Sequence, residues 1–209
     1  ELPIADVEGH DMGSPASQQQ VGEAAGGRSD IEDSLALDLD GLDQARWILI
    51  TEKEHNNFRA ALDYALTPGA DLSYGLRIGA AISLFWLERS YFYEGMERLH
   101  NLLKVAVDSV HLPARAKMLY RAAAIYWRIS DYNTAYKLCQ QSIEICRTLE
   151  DQRSLASALY YMGDICIDIH DYPQAHTVLE ESISICWAIH FAQQLNMAMT
   201  SLGRALNEQ

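Results

Sequence analysis

Seven histidines and several closely spaced carboxylates are the residues of this 209-residue chain that first suggest chemistry. The densest group is Asp168-x-His170-Asp171 with His176. Imidazole and carboxylate both ligate metals, but a site needs three or four converging donors. His170 and Asp171 sit at a predicted helix–helix turn, where a turn residue followed by an N-cap accounts for them. Glu52, Glu54 and His55 share one predicted helix, form no two-helix carboxylate set, and are expected to cap and solvate it. The stretch GEAAGG at 22–27 lacks the lysine and the preceding strand of a phosphate loop. The motifs G-x-G-x-x-G, G-x-S-x-G and H-E-x-x-H are absent. Cys139, Cys146, Cys166 and Cys186 form no C-x-x-C pair and fall at apolar positions, which predicts reduced core thiols. The expectation is a chain that is not an enzyme and takes no metal and no cofactor. A binding chemistry remains. Lys117, Tyr120, Arg121, Trp127 and Arg128 stand one or two turns apart on a single predicted helix. Guanidinium groups pair carboxylates and aromatic rings supply contact area, a combination suited to an acidic or C-terminal peptide.

The elements that position these residues follow from composition and period. The net charge of −13 is uneven, because residues 1–44 hold 11 acidic residues against Arg28 alone. The remainder is nearly neutral and carries no basic stripe, which argues against nucleic-acid binding. No apolar run is long enough for a membrane span. The start lacks the basic and apolar regions of a secretory leader, and the reading is a cytoplasmic fragment of something longer. Residues 1–42 are Gly-, Ser-, Gln- and acid-rich, as in a linker or lead-in. From 43 to 209 helical apolar spacing is nearly continuous, with helices predicted at 43–66, 71–88, 92–107, 113–129, 132–149, 153–169, 172–188 and 193–207. The hairpins are 71–107, 113–149 and 153–188, with a partial fourth at 193–209. The class is all-α.

SDYNTAYKLCQQSIEICRTLED at 130–151 overlays HDYPQAHTVLEESISICWAIHF at 170–191 with a shift of 40. Such a period, with two helices per unit, predicts stacked helical hairpins that gain their core from their neighbours. The shift aligns small residues in the first helix (Ser83, Ala123, Gly163, Gly203) and near the start of the second (Gly95, Ala135, Ala175). These are expected to let the paired helices approach closely. Trp86 and Tyr126 are expected to fill the space beneath, with Cys166 the departure, and Tyr132 and Tyr172 to seal the turns.

Leu119-x-x-Ala122-Ala123-x-x-Tyr126…Ala135, Leu159-x-x-Met162-Gly163-x-x-Cys166…Ala175 and Met199-x-x-Leu202-Gly203-x-x-Leu206 resemble the tetratricopeptide repeat (TPR). Departures are Cys166 for the aromatic, Ser142 and Ser182 for the usual Ala, and the longer unit. The resemblance implies a right-handed α-solenoid whose first helices line a concave, partner-binding face. Groove positions carried over from the family are Arg77, Lys117, Tyr120, Arg121, Trp127, Arg128, Tyr160, Tyr161, Asp164, Asp168 and Arg204. A clamp for chaperone tails is disfavoured, since only Lys117 and Arg121 match and Ala80, Ala81 and Leu84 stand at the earlier positions. A further stretch carries Trp47, Glu54-His55-Asn56-Asn57-x-Arg59-Ala60-Ala61-Leu62, Trp86 and Glu94-Gly95. It resembles the helical-repeat region behind the nucleotide-binding module of STAND-class signalling ATPases and related bacterial transcriptional regulators. That implies a scaffold or sensor arm binding a protein or peptide, or another domain of the same full-length chain. The alternative is a regulator receiving a signalling peptide or small ligand in an aromatic pocket around Trp127 and Tyr160. Charge asymmetry also allows the acidic segment 1–42 to occupy the groove when the partner is absent.

Overall fold

The computed structural model describes residues 41–106 and 111–208, and the expectations for the acidic lead-in fall almost wholly outside them. Nine α-helices and no strand occur among the described residues. They are α1 (Gly41–Lys53), α2 (His55–Ala65), α3 (Leu72–Glu88), α4 (Phe92–Val105), α5 (Leu112–Arg128), α6 (Tyr132–Leu149), α7 (Gln152–Asp168), α8 (Tyr172–Ala188) and α9 (Ala192–Asn207). None is long and apolar enough to cross a membrane. Helices α3–α4, α5–α6 and α7–α8 pair as hairpins, and α9 packs on α7 and α8.

The turns explain the 40-residue period. Ser90, Ser130, Glu150, His170 and His190 all adopt left-handed backbone, with φ between 56° and 64°. At each, the N–H of the next residue donates back to a carbonyl five residues earlier: Tyr91 to Trp86, Asp131 to Tyr126, Asp151 to Cys146, Asp171 to Cys166 and Phe191 to Cys186. This is the Schellman closure of a helix end. Asp131, Asp151 and Asp171 then cap the following helices, accepting from the N–H groups of Thr134, Ser154 and Gln174. A 17-residue helix and a three-residue turn make a 20-residue module, and two modules make the repeat. Tyr172 Oη lies 2.9 Å from His170 Nδ1, and Tyr132 Oη donates to Ser130 Oγ, so both tyrosines do close their turns.

The predicted helix at 43–66 is broken at Glu54, whose φ and ψ are −94° and 7°. Thr51, three residues before the break, donates its hydroxyl to the Trp47 carbonyl at 3.0 Å, a side-chain bond that bends helices.

Two apolar clusters meet in α5. One holds Leu62, Leu76, Phe85, Trp86, Leu99 and Ile125; the other holds Ala123, Cys139, Leu159, Ile165, Cys166 and Leu179. Helix α7 is the centre of the second, with every residue from Ser154 to Ile167 buried. A Cβ on Gly163 would lie 2.5 Å from Leu179, so only glycine admits α8 there. Its crossing partner is thus Leu179, one turn beyond the expected Ala175. Ser142 and Ser182 occupy the usual Ala position for a reason: each hydroxyl donates at 2.8 Å to a carbonyl of the preceding helix, Ala116 and Ala156 respectively. All four cysteines are free and buried. Burial pushes the Cys146 thiol up to about 11 and that of Cys166 to about 12, so neither is a thiolate near neutrality.

Candidate functional site

The groove positions lie on the first helices α3, α5, α7 and α9, but they divide into two groups. Tyr120, Arg121, Tyr160, Tyr161 and Asp164 are buried, none more than 9% exposed. Arg77, Arg128 and Arg204 are exposed, while Lys117, Trp127 and Asp168 are half-buried. The expectation that all eleven would present side chains to a partner is corrected for the first group. Residues 40 apart sit at equivalent points of neighbouring first helices and therefore meet one another.

Arg121 Nη1 donates to Tyr161 Oη at 3.3 Å, and its guanidinium lies 5.3 Å from the centre of the Tyr120 ring. Tyr120 and Tyr161 stack at 6.1 Å, and Tyr160 tilts against Tyr161 at 5.0 Å. Burial raises the phenol pKa of all three tyrosines. Above this floor runs a polar ladder. Trp127 Nε1 donates to Asp168 Oδ2 at 2.7 Å, and Arg204 Nη2 donates to Asp168 Oδ1 at 3.2 Å. Arg204 also approaches Asp164 at 3.7 Å, and Ser201 Oγ donates to Asp164 Oδ1 at 2.7 Å. Burial raises the Asp164 pKa above its usual value, with the Ser201 hydroxyl opposing. Arg77 lies over the Tyr74 ring. Among the described residues no group of three metal-ligating side chains converges; His170 faces Tyr172 and His176 approaches Glu180.

A second constellation was missed. His55 and Arg59 of α2 meet Glu94 and Arg98 of α4. Arg59 grips both Glu94 oxygens at 2.5–2.6 Å, Arg98 Nε adds a third bond at 3.1 Å, and Arg98 Nη1 also reaches Asp63 at 2.8 Å. His55 Nε2 lies 3.3 Å from Glu94, with its ring against Phe85 and Tyr91. His55 is buried rather than solvated as expected, and burial lowers its pKa. The bond from Arg59 holds the Glu94 carboxyl below its usual value. A cavity of about 330 Å³ opens beside this clamp, lined by Arg59, Asp63, Glu94, Glu97 and Arg98. Part of the signal was present: His55, Arg59 and Glu94 are among the residues that carried the second resemblance. Glu52 pairs with Arg89 across helices, and Glu54 accepts from Asn57.

Comparison with known proteins agrees with this architecture. A tetratricopeptide repeat family model matches residues 114–186, the span of α5 to α8. No curated protein matches the chain. Among solved structures, BtubC (BKLC) from P. vanneervenii is 16% identical over 75% of this chain, with a TM-score of 0.64. The chain spans 65% of that protein, just under two thirds of its length. A putative kinesin light chain of nearly identical TPR-like repeats from Podosopora anserina is 14% identical, covering 92% of this chain and 84% of its own, with a TM-score of 0.53. MamA is 15% identical over 82% of this chain and 95% of its own, with a TM-score of 0.50. At such identities the likeness concerns the fold. The described domain is a TPR-like α-solenoid of helical hairpins, and repeats of this kind generally serve as protein-binding scaffolds.

Proposed function

We propose that this chain is a non-enzymatic scaffold whose concave face, along the first helices, binds an acidic segment of a protein or peptide. The observation that carries the reading is the filled floor beneath that face. Tyr120, Arg121, Tyr160 and Tyr161 are buried and engaged with one another, and we read the face they leave as a shallow one with polar groups at its rim. Shallow, wet surfaces suit extended polypeptides better than small ligands. Lys117 and Arg128 are eleven residues apart on α5, so they fall on the same side of the helix, roughly 16 Å apart along its axis. Trp127, next to Arg128, has its N–H held by Asp168, a fixed aromatic edge of the kind that anchors interfaces. The resemblance of residues 47–95 further supports a role as the partner-binding arm of a bacterial cytoplasmic signalling or transcription-regulatory protein. The partner is then a separate protein or another domain of the same full-length chain.

The test is selection of displayed random peptides against the full chain, repeated with the Lys117→Glu/Arg128→Glu variant. Both residues reach solvent, so the variant keeps its melting temperature. Acidic peptides are expected, with affinity reduced about tenfold or more in the variant as two favourable charge contacts become repulsive. Peptides bound equally by both proteins would reject this face.

A further inference from the structure

Helix α9 shows one surface that occurs elsewhere among the described residues only when covered. Its inner side is buried through Gln194, Ala198, Ser201 and Ala205. Its outer side carries Leu195, Met199, Leu202 and Leu206 with Gly203 beside them, and Met199 and Leu206 are more than half exposed. Forty residues earlier the same stripe reads Leu155, Leu159, Met162 and Cys166 with Gly163, and there each residue is at most 4% exposed. What covers it is visible. Helix α8 folds back along α7 after a short turn, presses Leu179 onto Gly163, and donates the Ser182 hydroxyl to the Ala156 carbonyl. One unit earlier α6 does the same to α5 through Ser142 and the Ala116 carbonyl. A Cβ on Gly203, by contrast, would meet nothing within 4 Å.

We propose that the outer face of α9 is a docking surface for one kind of occupant: an amphipathic helix patterned like α6 and α8, lying antiparallel to α9. Counting from its first residue, it carries a small residue at position four, an apolar residue at position eight and a serine at position eleven. In α8 these are Ala175, Leu179 and Ser182; in α6 they are Ala135, Cys139 and Ser142. The eighth residue sits on Gly203, which has no side chain to hold it off. The serine donates to the Asn196 carbonyl, the next member of the series Ala116, Ala156. On the uncovered helix Thr200 donates its own hydroxyl to that carbonyl at 2.8 Å and turns away when the serine arrives. Continuity with the α7–α8 interface therefore specifies the chemistry of the occupant and its register.

The register gives a direct experiment. A second copy of the sequence 170–190 is appended immediately after Gln209, which places it 40 residues beyond its original. Docking is expected to raise the melting temperature by at least about 4 °C and to slow amide exchange in α9 at least tenfold. Gly203→Leu supplies the decisive control, because the two proteins respond with opposite sign. In the unextended chain it leaves the melting temperature unchanged or slightly raised, since leucine favours a helix over glycine. In the extended chain it removes most of the gain. An extension that changes neither melting nor α9 exchange, or whose gain survives Gly203→Leu, would overturn the proposal. So would a parent chain found dimeric by sedimentation with the dimer dissolved by Met199→Glu, which would assign the face to a second copy.

Discussion

Glu94 and Asp164 are both carboxylates enclosed between helices, yet the protein treats them in opposite ways. Glu94 is held by two cations, Arg59 and Arg98, which bond to it directly, and the His55 ring stands beside it. Asp164 interacts with the hydroxyls of Ser201 and Tyr160 and with an arginine at 3.7 Å, with Asp168 close enough to oppose its charge. The folded state therefore lowers the pKa of the first, chiefly through the Arg59 bond, and raises that of the second, chiefly through burial. The α2–α4 clamp is a paired-charge junction. The α7–α9 contact, at the other end of the stack, is a buried carboxylate whose one counter-charge, Arg204, is partly exposed and shared with Asp168. Charge pairing across a junction, rather than burial alone, decides which carboxyl stabilises the stack as an anion.

Removing each carboxylate should show the contrast most strongly. Glu94→Ala leaves Arg59 and the buried His55 imidazole without their carboxylate while Arg98 keeps Asp63, and is expected to cost about 2–3 kcal/mol in urea denaturation, tempered by the partial exposure of Arg59. Asp164→Asn keeps an acceptor for Ser201 while removing a buried charge, and should be neutral or mildly stabilising. Equal losses at the two positions would break the comparison.

A similar opposition holds for two glycines forty residues apart. Gly163→Ala forces Leu179 aside and should cost about 1–3 kcal/mol. Gly203→Ala meets open space and should add up to about 1 kcal/mol through helix propensity alone. Paired melting curves read both signs.

Acidification sharpens the carboxylate contrast further. His55 has a folded-state pKa below its ordinary value of 6.5, so its contribution is fully present above pH 6.5 and is lost as pH falls through the lowered value. Glu94 adds to the loss below its ordinary 4.5. For Asp164 the sign reverses: its contribution is present below 3.8 and is lost as pH rises through the raised folded value. Melting temperature followed against pH should therefore fall less steeply on the acid side in His55→Leu than in the parent. Asp164→Asn should remove the opposing term and steepen the acid loss. An unchanged slope in His55→Leu would show that the clamp is not the acid-sensitive element.

The smallest effect belongs to the turns. Replacing His170 or Glu150 by glycine relieves left-handed backbone, with part of the gain returned as unfolded-chain entropy, for about 0.5–1 kcal/mol per site. Denaturation midpoints measure it.

The hairpins from α5 onward were legible because the 40-residue shift repeats side chains that must face each other, such as Ala135 with Ala175 and Tyr132 with Tyr172. The cap at Asp171 was equally plain. The break at Glu54 was not, because it follows a side-chain bond from Thr51 that no apolar period reports. For the candidate site, the helix carrying each residue was readable but not its exposure. Arg121 and Tyr161 lie forty apart, as do Asp164 and Arg204, so the repeat contained the information that they would meet. A lone amphipathic helix assigns such residues to solvent, and only the neighbouring turn of the solenoid buries them. The clamp was hidden for another reason: its pairs span 35 residues or so, outside the 40-residue repeat.

The most direct test of the binding face is hydrogen exchange on the full chain with and without a peptide selected by display. Protection concentrated on α5, α7 and α9, strongest around Lys117–Arg128 and Asp168, is the predicted result. Protection confined to α4, α6 and α8, with the first helices unchanged, would contradict it.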